Sequence, residues 1–326
     1  MPGGGNAGSI SERFYPRVST QGSHDEPDRG VRERMPPQSS CAVTVVIATY
    51  NRAASLRRTL ERLSALPERP AIIVVDNGSN DATADVLAAA PRVTNLKLPA
   101  NIGAAARTLG ARAAQSPYIA FCDDDCWWSE GSLPRAAALL DAYGDVALLN
   151  ARVLVNDDAH VDDACRLMSA SDLPKTTACP GRSIAAYMAG ACVVRRGAFL
   201  AVGGYHRRYH LGAEESLAAL DLLAAGHALI YSPDLVLYHH PSDVQRDPRE
   251  RRRLVLRNRL WTTWLRHRAT CALAATAAAA RAAKRDPVAR AALLDALRGL
   301  IWILRERRPV SLDVERLVDR LAHLPA

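Results

Sequence analysis

Tyr118-Ile119-Ala120-Phe121-Cys122-Asp123-Asp124-Asp125-Cys126-Trp127-Trp128 is the stretch around which the rest of this chain can be ordered. Its first half is a short apolar run, the pattern of a buried strand, and it ends in three consecutive carboxylates. Like charges side by side repel one another and have low strand propensity. A divalent cation offsets them most directly. Hard cations such as Mg2+ and Mn2+ take oxygen ligands, usually one or two carboxylates plus the phosphates of a substrate. The triplet therefore points to a metal-bridged phosphate site at a strand end. Cys122 and Cys126 flank it, but a hard cation prefers the carboxylates between them.

Upstream, apolar runs at 43–48, 71–75 and 93–98 precede this strand, alternating with helical patterns at 55–66, 81–89 and 104–114. Alternation of this kind predicts an α/β fold with a mostly parallel sheet and right-handed crossovers. Ligands of such sheets bind beyond the carboxyl ends of the strands, and here each end is polar. The first gives Thr49-Tyr50-Asn51-Arg52, the second Asp76-Asn77-Gly78-Ser79, the third leads to Asn101-Ile102-Gly103, and the fourth is the Asp triplet. No G-x-G-x-x-G follows the first strand, which argues against an NAD or FAD enzyme. Asp81, just before a helix, reads as a cap.

Downstream, 146–149 reads as a strand and 156–181 as loops and short elements, with apolar order resuming at 187–194 before Gly203-Gly204-Tyr205. A helix is expected over 214–225, then strands near 228–231 and 235–238 joined by a hairpin-like return. From 249 to about 320 the pattern is helical, rich in Ala, Leu and Arg and broken at Asp286-Pro287 and Arg308-Pro309. Three parts follow: a Gly/Ser/Pro-rich leader expected to be disordered (1–40), the α/β domain (41–245) and a basic helical extension (246–326).

The 326 residues are 48% hydrophobic and 23% charged, values of an ordinary globular protein. The first 40 residues have no apolar core of a signal peptide, and the longest uncharged apolar run, 269–280, is too short to span a membrane. Seven cysteines without a C-x-x-C pair argue for reduced thiols in a cytoplasmic compartment and against a zinc site. The net charge of +8 is uneven: residues 246–308 hold 17 Lys+Arg against 5 Asp+Glu, hence +12, leaving −4 for the rest. Such an end either attracts an anionic surface, such as lipid, or forms solvated helix faces. No nucleic-acid-binding signature accompanies it.

Taken in order, Val45-Val46-Ile47-Ala48-Thr49-Tyr50-Asn51-Arg52, Val74-Val75-Asp76-Asn77-Gly78-Ser79, Asn101-Ile102-Gly103, Asp123-Asp124-Asp125, Gly203-Gly204-Tyr205, Glu214-Glu215 and His239 resemble the family 2 glycosyltransferases, inverting enzymes of GT-A fold. The resemblance runs from Val43 to about His240 and continues weakly into Arg257-Asn258. It implies a GT-A sheet with a C-terminal helical extension. The implied activity is a hexosyl- or deoxyhexosyltransferase using a nucleotide-diphosphate sugar. Thr49, Tyr50, Asn51, Arg52, Asp76, Asn101 and Gly103 would line the nucleotide side, with Asp123 and Asp124. The family's D-x-D motif maps onto Asp123 and Asp125, which with His239 would hold Mn2+ or Mg2+, the triplet leaving the register open by one residue. Gly190 would lie on the donor-phosphate side and Gly203-Gly204 in an acceptor loop. The resemblance places the catalytic base at Glu215, with Glu214 as the alternative.

Chemistry fits these roles. A carboxylate at Asp76 can accept from a uracil or thymine imide or a ribose hydroxyl, so UDP- or dTDP-sugars are the expected donors. Strand alternation sends His239 and His240 to opposite faces, with His239 the expected ligand. Trp127 and Trp128 offer a sugar-stacking face or pack beneath the sheet, and Arg107 either pairs with the Asp cluster or donor phosphate or faces solvent. The expected acceptor is a hydroxyl on a cell-envelope glycan or lipid-linked glycan. The basic helices would then make peripheral contact with the inner face of the cell membrane or pack in a homodimer. A sugar nucleotidyltransferase would carry a Gly-rich basic loop after the first strand, of which Ala48-Thr49-Tyr50-Asn51 is a poor version. A non-catalytic nucleotide-sugar binder would have no need of Asp123, Asp125, Glu215 and His239 together.

Overall fold

A computed structural model describes residues 41–156, 160–241 and 247–321. The leader expected over 1–40 lies outside the described residues.

Apolar, β-branched runs form β1 (Val43–Thr49) and β2 (Ala71–Asp76), each buried along nearly its whole length. With β3 (Val93–Lys97) and β4 (Tyr118–Cys122) they make a parallel half-sheet ordered β3-β2-β1-β4. Helices α1 (Ala53–Ser64), α2 (Thr83–Ala88) and α3 (Ala105–Ala113) supply the crossovers. Register fixes the rim: Thr49 pairs with Asp76, Asp76 with Lys97, and Ile47 with Cys122. The polar ends of β1, β2 and β4 therefore share one edge.

The other half is mixed. β5 (Cys126–Trp128) follows the Asp triplet, then α4 (Ser132–Ala142) and β6 (Val146–Val155). The polar stretch beyond holds β7 (His160–Val161), α5 (Asp163–Ser169) and β8 (Arg182–Ser183). β9 (Cys192–Arg195) leads through α6 (Arg196–Ala201) to α7 (Glu214–Ala224) and β10 (Ala228–His239). β9 is antiparallel to both β4 and β6, so two reversals return β6 to the sense of β1. β10 runs parallel to β6, which delivers His239 to the edge that carries the triplet. There β5 pairs antiparallel with β10, Cys126 opposite His239.

One sequence expectation changes. Residues 228–231 and 235–238 are one strand, not two joined by a hairpin. Ser232-Pro233-Asp234 has turn composition, but Pro233 sits in an irregularity between Ser232 and Val236 that shifts the pairing with β6 without reversing the chain.

The basic C-terminal segment forms α8 (Pro248–Arg266), α9 (Ala269–Ala283), α10 (Pro287–Arg298), α11 (Leu300–Glu306) and α12 (Leu312–Leu321). Asp247 and Asp286 cap α8 and α10, each ahead of a proline. Trp261, Trp264, Leu265, Trp302 and Ile303 form a second core with Tyr209 and Leu217. Arg266 pairs with Asp221 of α7 at 3.0 Å, and the Tyr209 hydroxyl meets that of Thr262 at 2.8 Å. No helix among the described residues is long and apolar enough to cross a membrane.

Candidate active site

The β1 and β2 ends are laced together before any ligand is considered. Asp76 is buried and accepts from the Ser79 N–H at 2.8 Å. The Asn51 N–H donates to the Ser79 hydroxyl at 2.9 Å, and the Asn80 N–H returns to the Asn51 side chain at 2.8 Å. Asn51 takes a left-handed φ of 53°, which asparagine tolerates. Asp81 accepts from Ala53 of α1 at 3.1 Å and from Thr83 of α2 at 3.0 Å, tying the two helix starts together. Tyr50 stands exposed beside this pocket.

Asn101 accepts from the Gly103 N–H at 2.8 Å, a local turn that Asn77 reinforces by accepting from Ile102 at 3.2 Å. Gly103 has φ 65°, and a Cβ there would collide with the His210 carbonyl, which accepts from Ala104 N–H at 2.6 Å. The loop from β3 is thereby docked on the segment leading to α7. Gly103→Ala adds left-handed strain to a backbone collision, so a loss of about 3 kcal/mol and a melting point lower by about 6–12 °C are expected. A thermal melt within 2 °C of the wild type (roughly the reach of a sub-kcal/mol change) would refute that docking.

Each carboxylate of the triplet has a different partner. Asp124 turns inward, accepts from the Thr49 hydroxyl at 2.8 Å and is 7% exposed. Burial pushes its pKa up to about 6, with the Thr49 bond opposing and the charges of its two neighbours adding to the rise. Its carbonyl accepts from Thr59 at 3.0 Å. Thr49 is thus buried on Asp124. Asp123 is paired with Arg107 of α3, and Gly190 lies so close that a Cβ there would strike its carboxylate. Asp125 faces Arg52 at 3.4 Å and His239 at 3.7 Å.

Asp125, Cys126 and His239 bring their ligand atoms within 4.8 Å of one another. Burial, then the charge of Asp123, raises the Cys126 thiol well above its ordinary value, so it stays neutral and is a poor ligand for a hard ion. The carboxylate of Asp125 and the imidazole of His239 remain, an oxygen and nitrogen pair that would serve a divalent cation. His240 goes to the other face. It stacks on Trp127 at 4.6 Å, and Arg58 and Arg62 lie over the same indole at 5.1 and 5.5 Å. Trp128 is 1% exposed. Both indoles are packed rather than presented to a sugar.

Opposite the triplet, Ala213 adopts a left-handed φ of 60° and starts α7 with Glu214-Glu215. Glu214 is 5% exposed and lies 3.9 Å from Arg107. Arg107 therefore bridges Asp123 and Glu214, joining two carboxylates 91 positions apart (214 − 123). Burial alone would lower the guanidinium pKa, but Asp123, Tyr205 and Glu214 outweigh it and the net shift is upward. Burial raises the Glu214 carboxyl, with Arg107 opposing. Glu215 is half-buried; burial and then the charge of Glu214 push it up to about 7.

The segment before these glutamates is held from α8, a feature the sequence reading left without a role. Asn258 is fully buried, and its amide donates to the carbonyls of Tyr209, Leu211 and Gly212 at 2.9, 3.1 and 2.6 Å. Arg257 donates to Tyr209 O at 2.9 Å and to Asn258 Oδ1 at 2.9 Å. Asn258→Ala takes this donor from the Leu211 and Gly212 carbonyls and leaves Tyr209 O to Arg257 alone, so it is expected to lower kcat about tenfold or more while nucleotide affinity holds. An unchanged kcat would show that the clamp does not position α7. Gly203 and Gly204, at φ 95° and 68°, close α6, where Gly204 N–H donates to Phe199 O at 2.9 Å and Gly204 abuts Thr108 of α3.

Residues 44–203 match the family model described as glycosyl transferase family 2. The chain is 32% identical over 244 residues to the N-acetylglucosaminyl-diphospho-decaprenol L-rhamnosyltransferase of Mycobacterium tuberculosis, covering 63% of this chain and 78% of the relative. It is 32% identical over 231 residues to the pre-mycofactocin glycosyltransferase of the same organism, covering 68% of this chain and 47% of the relative. The fold is shared with a mannosyltransferase from Pyrobaculum calidifontis solved with GDP-Man and Mn2+ (TM-score 0.54, 18% identity, 88% of this chain and 85% of that one). With a mixed sheet that gathers its polar strand ends on one edge and relatives at this identity and coverage, the chain belongs to glycosyl transferase family 2, an α/β protein of GT-A architecture and a glycosyltransferase.

Proposed function

We propose that this glycosyltransferase moves a sugar, with inversion, from a UDP- or dTDP-sugar to a hydroxyl of a lipid-linked cell-envelope glycan, with the help of a divalent cation. The observation that carries the reading is the facing of two corners. Asp125, His239 and Arg52 converge at one strand edge, and Glu215, of pKa about 7, starts the helix that Arg107 links to the same triplet.

The nucleoside lies against Tyr50, Asn51 and Asp76, whose carboxylate has one oxygen engaged by Ser79 and another for a base imide or ribose hydroxyl. Asp125 and His239 would hold Mn2+ or Mg2+, which when bound supplies Lewis-acid stabilisation of the departing diphosphate. Arg52 adds a fixed positive charge there. Glu214 lies 3.9 Å from Arg107 through one oxygen and is the more deeply buried of the two, and Glu215, less buried, is the carboxylate assigned to take the acceptor proton as the hydroxyl attacks the anomeric carbon. Asp124, locked on Thr49, supports the turn rather than the ligand shell.

The acceptor class rests on the likeness to a relative named for action on a decaprenol-diphosphate-linked sugar. The test is a panel of UDP-, GDP- and dTDP-sugars with Mn2+ and a short-chain polyprenyl-diphosphate N-acetylglucosamine, with the product anomer read by NMR. Inverted product from a UDP- or dTDP-sugar is expected. Retained configuration, or turnover with GDP-sugars alone, would overturn the mechanism or the donor assignment respectively.

A further inference from the structure

Nine large apolar side chains stand exposed among the described residues, and seven of them fall between Leu273 and Leu312. The centre of that set is α10 and α11. Gly299 between them keeps right-handed helical dihedrals (φ −84°, ψ −6°), and the Ile303 N–H donates to its carbonyl at 3.1 Å. Helical spacing therefore carries across the joint. One side of this rod, Ala289, Ala292, Ala296 and Ile303, is buried. The opposite side carries Leu294, Leu297, Ile301 and Leu304, at spacings of three and four residues, and all four are exposed.

Charge decides what covers this stripe. Arg290, Arg298 and Arg305 fall on the same arc and are exposed. The two carboxylates of the rod are both engaged: Asp295 by Arg253 and Arg298, each at 2.5 Å, and Glu306 by His206 at 3.0 Å. The segment 246–308 carries +12 in all. A second copy would bring like charge against like charge, whereas an anionic lipid surface complements it. Leucine-rich, arginine-flanked helix faces lie in the headgroup and acyl boundary of a bilayer.

We propose that the Leu294–Leu297–Ile301–Leu304 stripe, with Arg290, Arg298 and Arg305, is a docking surface for anionic phospholipid membrane. On the rod's inner side Trp302 stacks on His206 at 5.0 Å, in the segment that leads into Glu214-Glu215. Docking there would set the base beside a lipid-linked acceptor in the plane of the bilayer. This placement rests on the acceptor reading above, but docking itself fails or stands separately.

The test is co-sedimentation of the full chain with phosphatidylcholine vesicles, with and without phosphatidylglycerol. The wild type is expected to bind the phosphatidylglycerol vesicles, and Ile301→Glu/Leu304→Glu to bind about tenfold or more weakly. Arg290→Glu/Arg305→Glu is expected to weaken binding and flatten its salt dependence. Both variants should keep wild-type donor hydrolysis, since none of these side chains faces the site, and Ile301→Glu/Leu304→Glu the wild-type melting point as well; Arg290→Glu also gives up the bond from its Nε to Ala283 O at 3.0 Å. Failure of the wild type to bind anionic vesicles, or equal binding by Ile301→Glu/Leu304→Glu, would overturn the proposal. So would a wild-type dimer that this variant converts to monomer, which would make the stripe a self-interface. Vesicle binding without transfer to the polyprenyl acceptor would instead overturn the acceptor reading and leave docking intact.

Discussion

Glu215→Gln is expected to lower kcat by about 10²–10⁴-fold, the usual contribution of a general base, while nucleotide affinity stays within about twofold. The substitution keeps size and hydrogen-bonding shape and removes only proton-accepting capacity. Wild-type kcat/KM should rise with pH through about 7, because Glu215 must be ionised to act and its pKa is raised to that value by burial and Glu214. The rise should vanish in the variant. Stability supplies a control with the opposite sign. The folded-state pKa lies above that of the unfolded chain, so ionising Glu215 costs the folded protein, and its penalty grows from about pH 4.5 to about pH 7. Glu215→Gln should therefore melt at the same temperature as the wild type or higher at pH 8. A lower melting point together with lost activity would point to a structural role. Equal transfer rates would remove Glu215 from the mechanism.

Asp125→Asn should abolish the response to Mn2+ and reduce kcat/KM by about 10²-fold or more, since it leaves a neutral amide beside His239 and Arg52 in place of the anionic ligand. Asp123→Asn should act differently. It breaks the pair with Arg107, whose second acidic neighbour, Glu214, lies at 3.9 Å. Activity should fall with the Mn2+ response retained. If Asp123→Asn instead erased the Mn2+ response and Asp125→Asn did not, the cation would belong on Asp123.

The parallel half of the sheet was readable because β1, β2 and β4 are short apolar runs with polar ends, and each end named its own residues. The parting of His239 from His240 was readable as well, since strand alternation sends neighbours to opposite faces, and the two turn toward Asp125 and Trp127. The division of labour within the triplet was not. It depends on Thr49 and Arg107, which reach Asp124 and Asp123 from other elements, and adjacent identical residues carry no local signal of which way each turns. The Asn258 clamp was opaque for a like reason: its partners lie 46 to 49 residues upstream. Arg257-Asn258 was visible as a pair, but a buried amide amid basic residues was its only cue. Pro233 misled outright, because a strand irregularity and a turn use the same residues.

Calorimetric titration of UDP and dTDP into the full chain, with Mn2+ and then with a chelator, tests the central claim most directly. Binding of one or both nucleotides that weakens about tenfold or more on chelation, is lost in Asp125→Asn and survives in Glu215→Gln is the predicted result. Binding that is indifferent to Mn2+ and to Asp125→Asn would contradict it.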